Sequence, residues 1–423
     1  MLDNTVVSEN LQKYRKPMER MFYLFFVIIF IYDYLSSSMM FIPFQNMILK
    51  TILFLPIDLI EPVFELILNL RHLIIIPAVF TIIFEVKERN RKIILSLLLF
   101  AGWFYAMYWR ESGDYAVFSP LLVIVACANR DMKKIIKLSL ASGVFVIFLA
   151  FVLSRFGIIE DLTWNRPGSS FERHAFGMNY CTDLASHVMF LIFLYMFLKQ
   201  GHLKWWDYVV IVGLSAVNVF FVDGQIALIC VVMALAGCCF VSIYDKKGWE
   251  IPEKVICVWK WLLQSAFVVG AGVMFLLAIT YKEDPQIWYN RYYSLENRIH
   301  TNYRLLKAIP FSWFGTSFVQ VGSGGKSDYT GYYFWVDCSY TRVYAMHGIV
   351  AFIIFMALLT WVQIRLKKKK AYFGMFLMAV VAFDCMIEHH MIEVAFNTFL
   401  VLAFADMGGI LQNAQKGEGK LAS

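Results

Sequence analysis

The chain has 423 residues, 60% of them hydrophobic and 17% aromatic, with 16% charged and a formal net charge of +7. Soluble domains are about 45–50% apolar and about 25% charged, so this composition excludes a soluble globular protein. The positive charge forms no contiguous basic surface of the kind that binds nucleic acid. It sits in short clusters beside long apolar stretches.

About 20 apolar residues cross a ~30 Å hydrocarbon core. Stretches of that order run over 21–43, 70–86, 93–110, 114–129, 135–156, 181–199, 206–222, 225–244, 259–281, 337–363, 372–388 and 393–411. Lys and Arg cluster at every second gap: Lys13-Arg15-Lys16-Arg20, Lys87-Arg89-Arg91-Lys92, Arg130-Lys133-Lys134-Lys137, Lys199-Lys204, Lys246-Lys247-Lys254 and Arg365 to Lys370. Such clusters favour the cytoplasm, and the intervening gaps then face outward. The reading is an all-α, polytopic integral membrane protein of about twelve spans. It forms a single transmembrane domain over 1–423 with both termini cytoplasmic. Segment 44–69, interrupted by Asp58, Glu61 and Glu65, reads as an interfacial or re-entrant helix on the outer side. Five of the cysteines lie within apolar runs and none has metal-ligand spacing with His, so neither a disulfide framework nor a structural metal is expected.

Two outer loops stand out, 157–180 and the large loop 282–336. Within the second, 293–309 predicts a short helix carrying Asn297, His300 and Arg304 on one face, followed by a Gly- and aromatic-rich lid. Outer cations run against the positive-inside trend, which makes them candidates for chemistry. Arg166, Arg173 and His174 share the first loop, beyond Arg155 at the end of a span. Arg291, Arg298, His300 and Arg304 share the second. Guanidinium forks suit phosphate oxygens, although a lone outer Arg can equally snorkel to lipid headgroups. Asp337, at the start of the span after the large loop, is a candidate general base or the partner of a loop arginine.

Glu388, His389, His390 and Glu393 form a polar turn before the final stretch. On a helix the adjacent His389 and His390 diverge by about 100°, so a shared metal ion is not expected, and a polar cap on the substrate head is favoured. Asp114 and Asp223 read as turn residues or as orienting partners of arginines. Walker loops, GxSxG elbows and HExxH are missing from the chain, which argues against ATP-driven transport and against hydrolase chemistry of those types.

Several segments together resemble a known family. They are SGDYAVFSPLLVIVACANRDMKKIIKLSL, FERHAFGMN, NRIHTNYRLLKAIPFSWFGTS, WVDCSYTRVYAMHGIVAF and the terminal EHH followed by AFNTFLVLAF, spanning residues 112 to 405. Their order is similar to that of the Wzy-type polymerases of bacterial O-antigen, capsule and exopolysaccharide assembly, relatives of the O-antigen ligases. The resemblance implies an inverting, metal-independent membrane glycosyltransferase without cofactor. It would join undecaprenyl-pyrophosphate-linked oligosaccharide repeat units on the extracytoplasmic face of the bacterial inner membrane. A flippase and a chain-length regulator are implied as partners. Arg173 matches the family's Arg before an aromatic-Gly pair, Arg298 or Arg304 an Arg of the large loop, and Asp337 the polar position before the next span. Two departures stand: Asp337-Cys338 occupies the place of a His-Asn pair in the ligases, and DGQIAL at 223–228 that of a Ser-Arg pair. A lipid-linked oligosaccharide flippase, a ligase-like transferase and an O-acyltransferase using His187 are the alternatives.

Overall fold

The computed structural model describes residues 4–40, 71–84, 93–99, 102, 118–165, 170–248, 252–282, 294–309, 311–316, 318, 320–322, 324–325 and 334–410. Segment 44–69, Arg166, Arg291, Asp114 and most of the large loop's glycine-rich part lie outside them. The described chain is mostly helical: α1 (Asn4–Ser36), α2 (Ile75–Phe84), α3 (Phe118–Ala126), α4 (Met132–Arg155), α5 (Cys181–Leu198), α6 (Trp205–Val217), α7 (Gln225–Lys247), α8 (Glu253–Thr280), α9 (Ser294–Ala308), α10 (Ser339–Lys368) and α11 (Tyr372–Asp384). One short hairpin departs from the all-α reading. Its strands β1 (Thr163–Asn165) and β2 (Glu172–His174) pair antiparallel, with Trp164 opposite Arg173.

Six helices are long and apolar enough to cross a membrane: α4, α5, α6 with its continuation to Val222, α7, α8 and α10. Their outward faces carry exposed Phe148, Phe220, Leu276 and Ile279, which in water would be a large unfavourable apolar surface. The chain is therefore a membrane protein. α5 is the most enclosed of the six, flanked by α4 and α7, while α8 packs on α10 and α11 and α1 lies along α4. The helix expected over 293–309 is present as α9, which packs against α8.

The final apolar stretch departs from expectation. Hydropathy predicts a spanning helix over 393–411; beyond Asp384 the described chain instead runs through turns into a short 3-10 helix, Thr398–Ala403, with every residue of that helix buried, and it passes from the turn at His390 to Asp406, whose amide donates to the Arg130 carbonyl at 2.8 Å. Apolar content alone does not distinguish a lipid-facing helix from irregular chain enclosed by other helices. Here the enclosing helix satisfies the exposed carbonyls. Trp361 Nε1 donates to the Ala403 carbonyl at 3.0 Å, and Arg365, from α10, donates to those of Leu402 and Ala405.

A second irregularity lies inside α10. Gly348 has φ +80° and ψ 173°, which breaks the helix after one third of its length. Loop residues 312–316 fill the break: the Ile349 and Val350 amides donate to the Ser312 and Trp313 carbonyls at 3.2 Å each, and the Thr316 amide donates to Ala345 at 3.0 Å. The approach requires glycine on both sides. A Cβ on Gly348 would stand 2.4 Å from the Gly315 nitrogen, and one on Gly315 would stand 2.0 Å from the Met346 oxygen.

Gly348→Ala should therefore lower stability by about 1–3 kcal/mol or more through left-handed strain and the backbone clash. Gly213→Ala, in α6 with open space around it, should be neutral or stabilising by about 0.5–1 kcal/mol. Thermal unfolding in detergent, monitored by intrinsic fluorescence, separates the two.

Candidate functional site

A cavity of about 640 Å³ is lined by residues from several separate parts of the chain. Arg173 comes from β2, Asp183 from the first turn of α5, Arg298 from α9, and Asp337 and Glu388 from the segments just before α10 and just after α11. All of these lie in segments remote in sequence from the Lys/Arg clusters, on the side that the charge pattern assigns to the outside. Of the residues singled out from sequence, the structure brings Arg173, Arg298, Asp337 and Glu388 together.

Arg173 is placed by a hairpin on one side and a helix end on the other. α6 closes with a π-helical turn, Asn218–Val222, and Asp223 follows in the left-handed region at φ 53°. Arg173 Nε donates to the Val222 carbonyl at 3.1 Å and lies 3.9 Å from the Asp223 carboxylate. Only 6% of Arg173 is exposed, so the head is held at the cavity wall with its stem desolvated. Asp223 thus orients an arginine, one of its two sequence readings.

In the same lining, Arg298 bridges two acids. Its Nη2 is 3.1 Å from Asp337 Oδ2 and 3.9 Å from Glu388 Oε1, and its Nε donates to the Ile387 carbonyl at 3.4 Å. Arg342, in the first turn of α10, donates to the Val336 carbonyl at 3.3 Å and stacks over Trp335 at 4.8 Å. Burial raises the proton affinity of Asp337, and Arg298, Arg342 and His390 only partly offset it. Glu388 is also raised, chiefly by burial, with Arg298 opposing and Asp337 and Asp384 adding to the shift.

The turn after α11 is not helical. His389 and His390 therefore do not diverge; their rings lie 4.1 Å apart, and the ligand atoms of Glu388, His389 and His390 all fall within 4.8 Å of one another. These are the described residues best disposed to hold a metal ion, and the helical geometry that argued against one does not apply. His390 Nδ1 is 3.1 Å from Glu393, and its ring stacks on Phe396 at 3.6 Å. Burial alone would lower His390, but Glu393, Asp183 and Glu388 outweigh it and raise it to about 9. His389 is lowered, by burial first and then by His390, Arg342 and Arg298.

The other sequence candidates lie elsewhere. His174 is bonded to Asp161 at 2.8 Å, an acid shared with Arg155, and stacks on Phe176. His300 is buried with its ring toward Tyr281 and Tyr303, and Arg304 lies over Phe334 at 5.9 Å. None of these three is among the residues lining the cavity. His187 is sandwiched between Tyr34 and Phe396, at 4.5 and 3.6 Å, and is not in that lining either. Sequence reasoning overlooked Asp183 and Arg342. Both were charges inside expected spans, which is the signal that marks intramembrane function.

A second cavity, of about 610 Å³, is apolar and lies among α4, α5, α6 and α7. Phe148, Phe151, Leu184, Val188, Leu214 and Val231 line it. It reaches Val222, whose carbonyl accepts from Arg173, so a lipid-like groove ends beside a guanidinium.

No protein-family model, curated protein or solved structure matches the chain.

The Arg298–Asp337 pair should show direct energetic coupling. In a double-mutant cycle of Arg298→Ala and Asp337→Ala, the two stability losses should be non-additive by about 0.5–3 kcal/mol. Additive losses by thermal unfolding would show that the two charges do not depend on each other.

Proposed function

We propose that the protein is a membrane glycosyltransferase that polymerises undecaprenyl-pyrophosphate-linked oligosaccharide repeat units on the outer face of the bacterial inner membrane. The observation that carries this reading is one polar cavity lined by both Arg173 and the Arg298–Asp337 pair, beside an apolar groove. The resemblance to Wzy-type polymerases supports the same assignment.

A polyprenyl tail suits the groove among α4 to α7, and its pyrophosphate would then meet Arg173 at the groove's end. Arg298 supplies a second guanidinium from α9. When a pyrophosphate enters, Arg298 can exchange its contact with Asp337 for phosphate oxygens, which leaves the carboxylate available as a base. The acceptor sugar's hydroxyl attacks the anomeric carbon of the donor chain and gives its proton to Asp337. The bond from that carbon to the pyrophosphate oxygen breaks, and its electron pair leaves on the pyrophosphate. Fixed guanidinium groups stabilise the charge that develops there. The tail holds both reacting heads at one depth, which lowers the entropic cost of the encounter. Attack opposite the leaving group inverts the anomeric centre.

Burial strengthens Asp337 as a base. Polymerisation should therefore fall on acidification, through a pKa above the ordinary carboxylate range, because only the ionised form accepts the proton. Asp337→Asn should lower the rate by about 10²–10⁴-fold and remove that acid limb. Arg173→Ala should abolish polymer while membrane insertion is retained. The assay is gel analysis of products from purified protein in lipid nanodiscs with a synthetic lipid-linked repeat unit. A ladder supports polymerisation; a single transfer to a foreign acceptor indicates a ligase; unmodified substrate moved across vesicles indicates a flippase. Full polymer from Arg173→Ala would remove the pyrophosphate assignment.

A further inference from the structure

We infer that Glu388, His389 and His390 form a binding site for one divalent transition-metal ion of the zinc class, placed at the wall of the polar cavity. The inference concerns binding and stands independently of the polymerase reading.

The backbone makes it feasible. Ser339, at the start of α10, ties the turn at two points: its hydroxyl donates to the Glu388 carbonyl at 2.6 Å and accepts from the Met391 amide at 3.2 Å. The turn so held directs two consecutive imidazoles and a carboxylate toward one region, where their ligand atoms lie within 4.8 Å of one another. Donors sharing one ion at ~2.1 Å stand about 3.4 Å apart, so modest side-chain rotations close the set.

The side chains are prepared as ligands. His390 is 1% exposed; its Nδ1 faces Glu393 at 3.1 Å, and its Nε2 has no hydrogen-bond partner. A carboxylate on one ring nitrogen fixes the tautomer that presents the other to a metal. The charged atom nearest that Nε2 is Asp183 Oδ1, at 3.9 Å, a further oxygen donor within reach. His389 Nδ1 is likewise buried without a hydrogen-bond partner, while its Nε2 lies 3.9 Å from Glu393. Phe396 against His390 and the Trp335 edge against His389 restrict both rings. Two imidazoles with carboxylate oxygen favour zinc-like ions over calcium or magnesium.

Charge balance points the same way. Asp183, Asp337, Asp384, Glu388 and Glu393 all act on this turn, against the guanidiniums of Arg298 and Arg342. A divalent ion would add positive charge beside the Asp183, Glu388 and Glu393 carboxylates grouped at this turn. Glu388 and His389 both line the cavity, so a coordination position would face it.

The test uses tag-free, full-length protein in nanodiscs, stripped with a chelator and titrated with Zn²⁺. Calorimetry and elemental analysis after desalting should give about one equivalent. X-ray absorption at the zinc edge of the wild type should show two imidazole nitrogens among nitrogen and oxygen donors. His389→Ala and His390→Gln should each abolish stoichiometric binding, and Glu393→Gln should weaken it about 10–100-fold. His202→Ala, in an exposed His–Asp pair outside the cavity lining, should change nothing. No zinc uptake by the wild type, an absorption spectrum without imidazole, or unchanged binding in both histidine variants would overturn the assignment.

Discussion

Arg298 sits between two acids that could not otherwise be buried together. At 3.1 Å from Asp337 and 3.9 Å from Glu388, it joins α9 of the large loop to the start of α10 and the turn after α11. A carboxylate removed from water at a membrane boundary is costly unless a partner compensates it. That cost makes the arrangement informative. Three segments distant in sequence are held by one guanidinium in the lining of the cavity. The same pairing gives Arg298 a role that a substrate anion could take over.

Irregular backbone recurs at several places in the fold. The break at Gly348 is filled by residues 312–316, and the chain after Asp384 is enclosed by α10, whose Trp361 and Arg365 donate to its carbonyls. Helices satisfy their own backbone groups, whereas turns at membrane depth need partners from elsewhere. With those partners supplied, the chain can present consecutive side chains such as His389 and His390 to one point. A helix would have sent them to different faces. The π-helical turn ending α6 serves a similar end by offering the Val222 carbonyl to Arg173.

Much of the architecture was legible from hydropathy and charge, because both follow from transfer of whole segments into lipid. The spans that became α4 to α8 and α10 and the short helix over 293–309 could be read this way, and so could the candidacy of Arg173, Arg298, Asp337 and Glu388, which the fold brings to one cavity. Other candidates were legible as outer charges yet serve other contacts. His174 is engaged by Asp161 and stacked on Phe176, and His300 packs toward tyrosines. Asp183 and Arg342 were overlooked because each sits in the first turn of a helix, within the bounds of an expected span.

Sequence by itself determined that this is a mostly helical membrane protein and indicated which charges could not be accounted for by cytoplasmic anchoring. Those are one-dimensional facts, set by the free energy of placing each residue in lipid or at its edge. Tertiary structure alone decided which of these charges meet, that the final apolar stretch is enclosed and largely irregular chain in place of a regular helix, and that two adjacent histidines converge. Such outcomes depend on whether a backbone segment finds hydrogen-bond partners in another helix. Residue order does not encode that until the helices are packed.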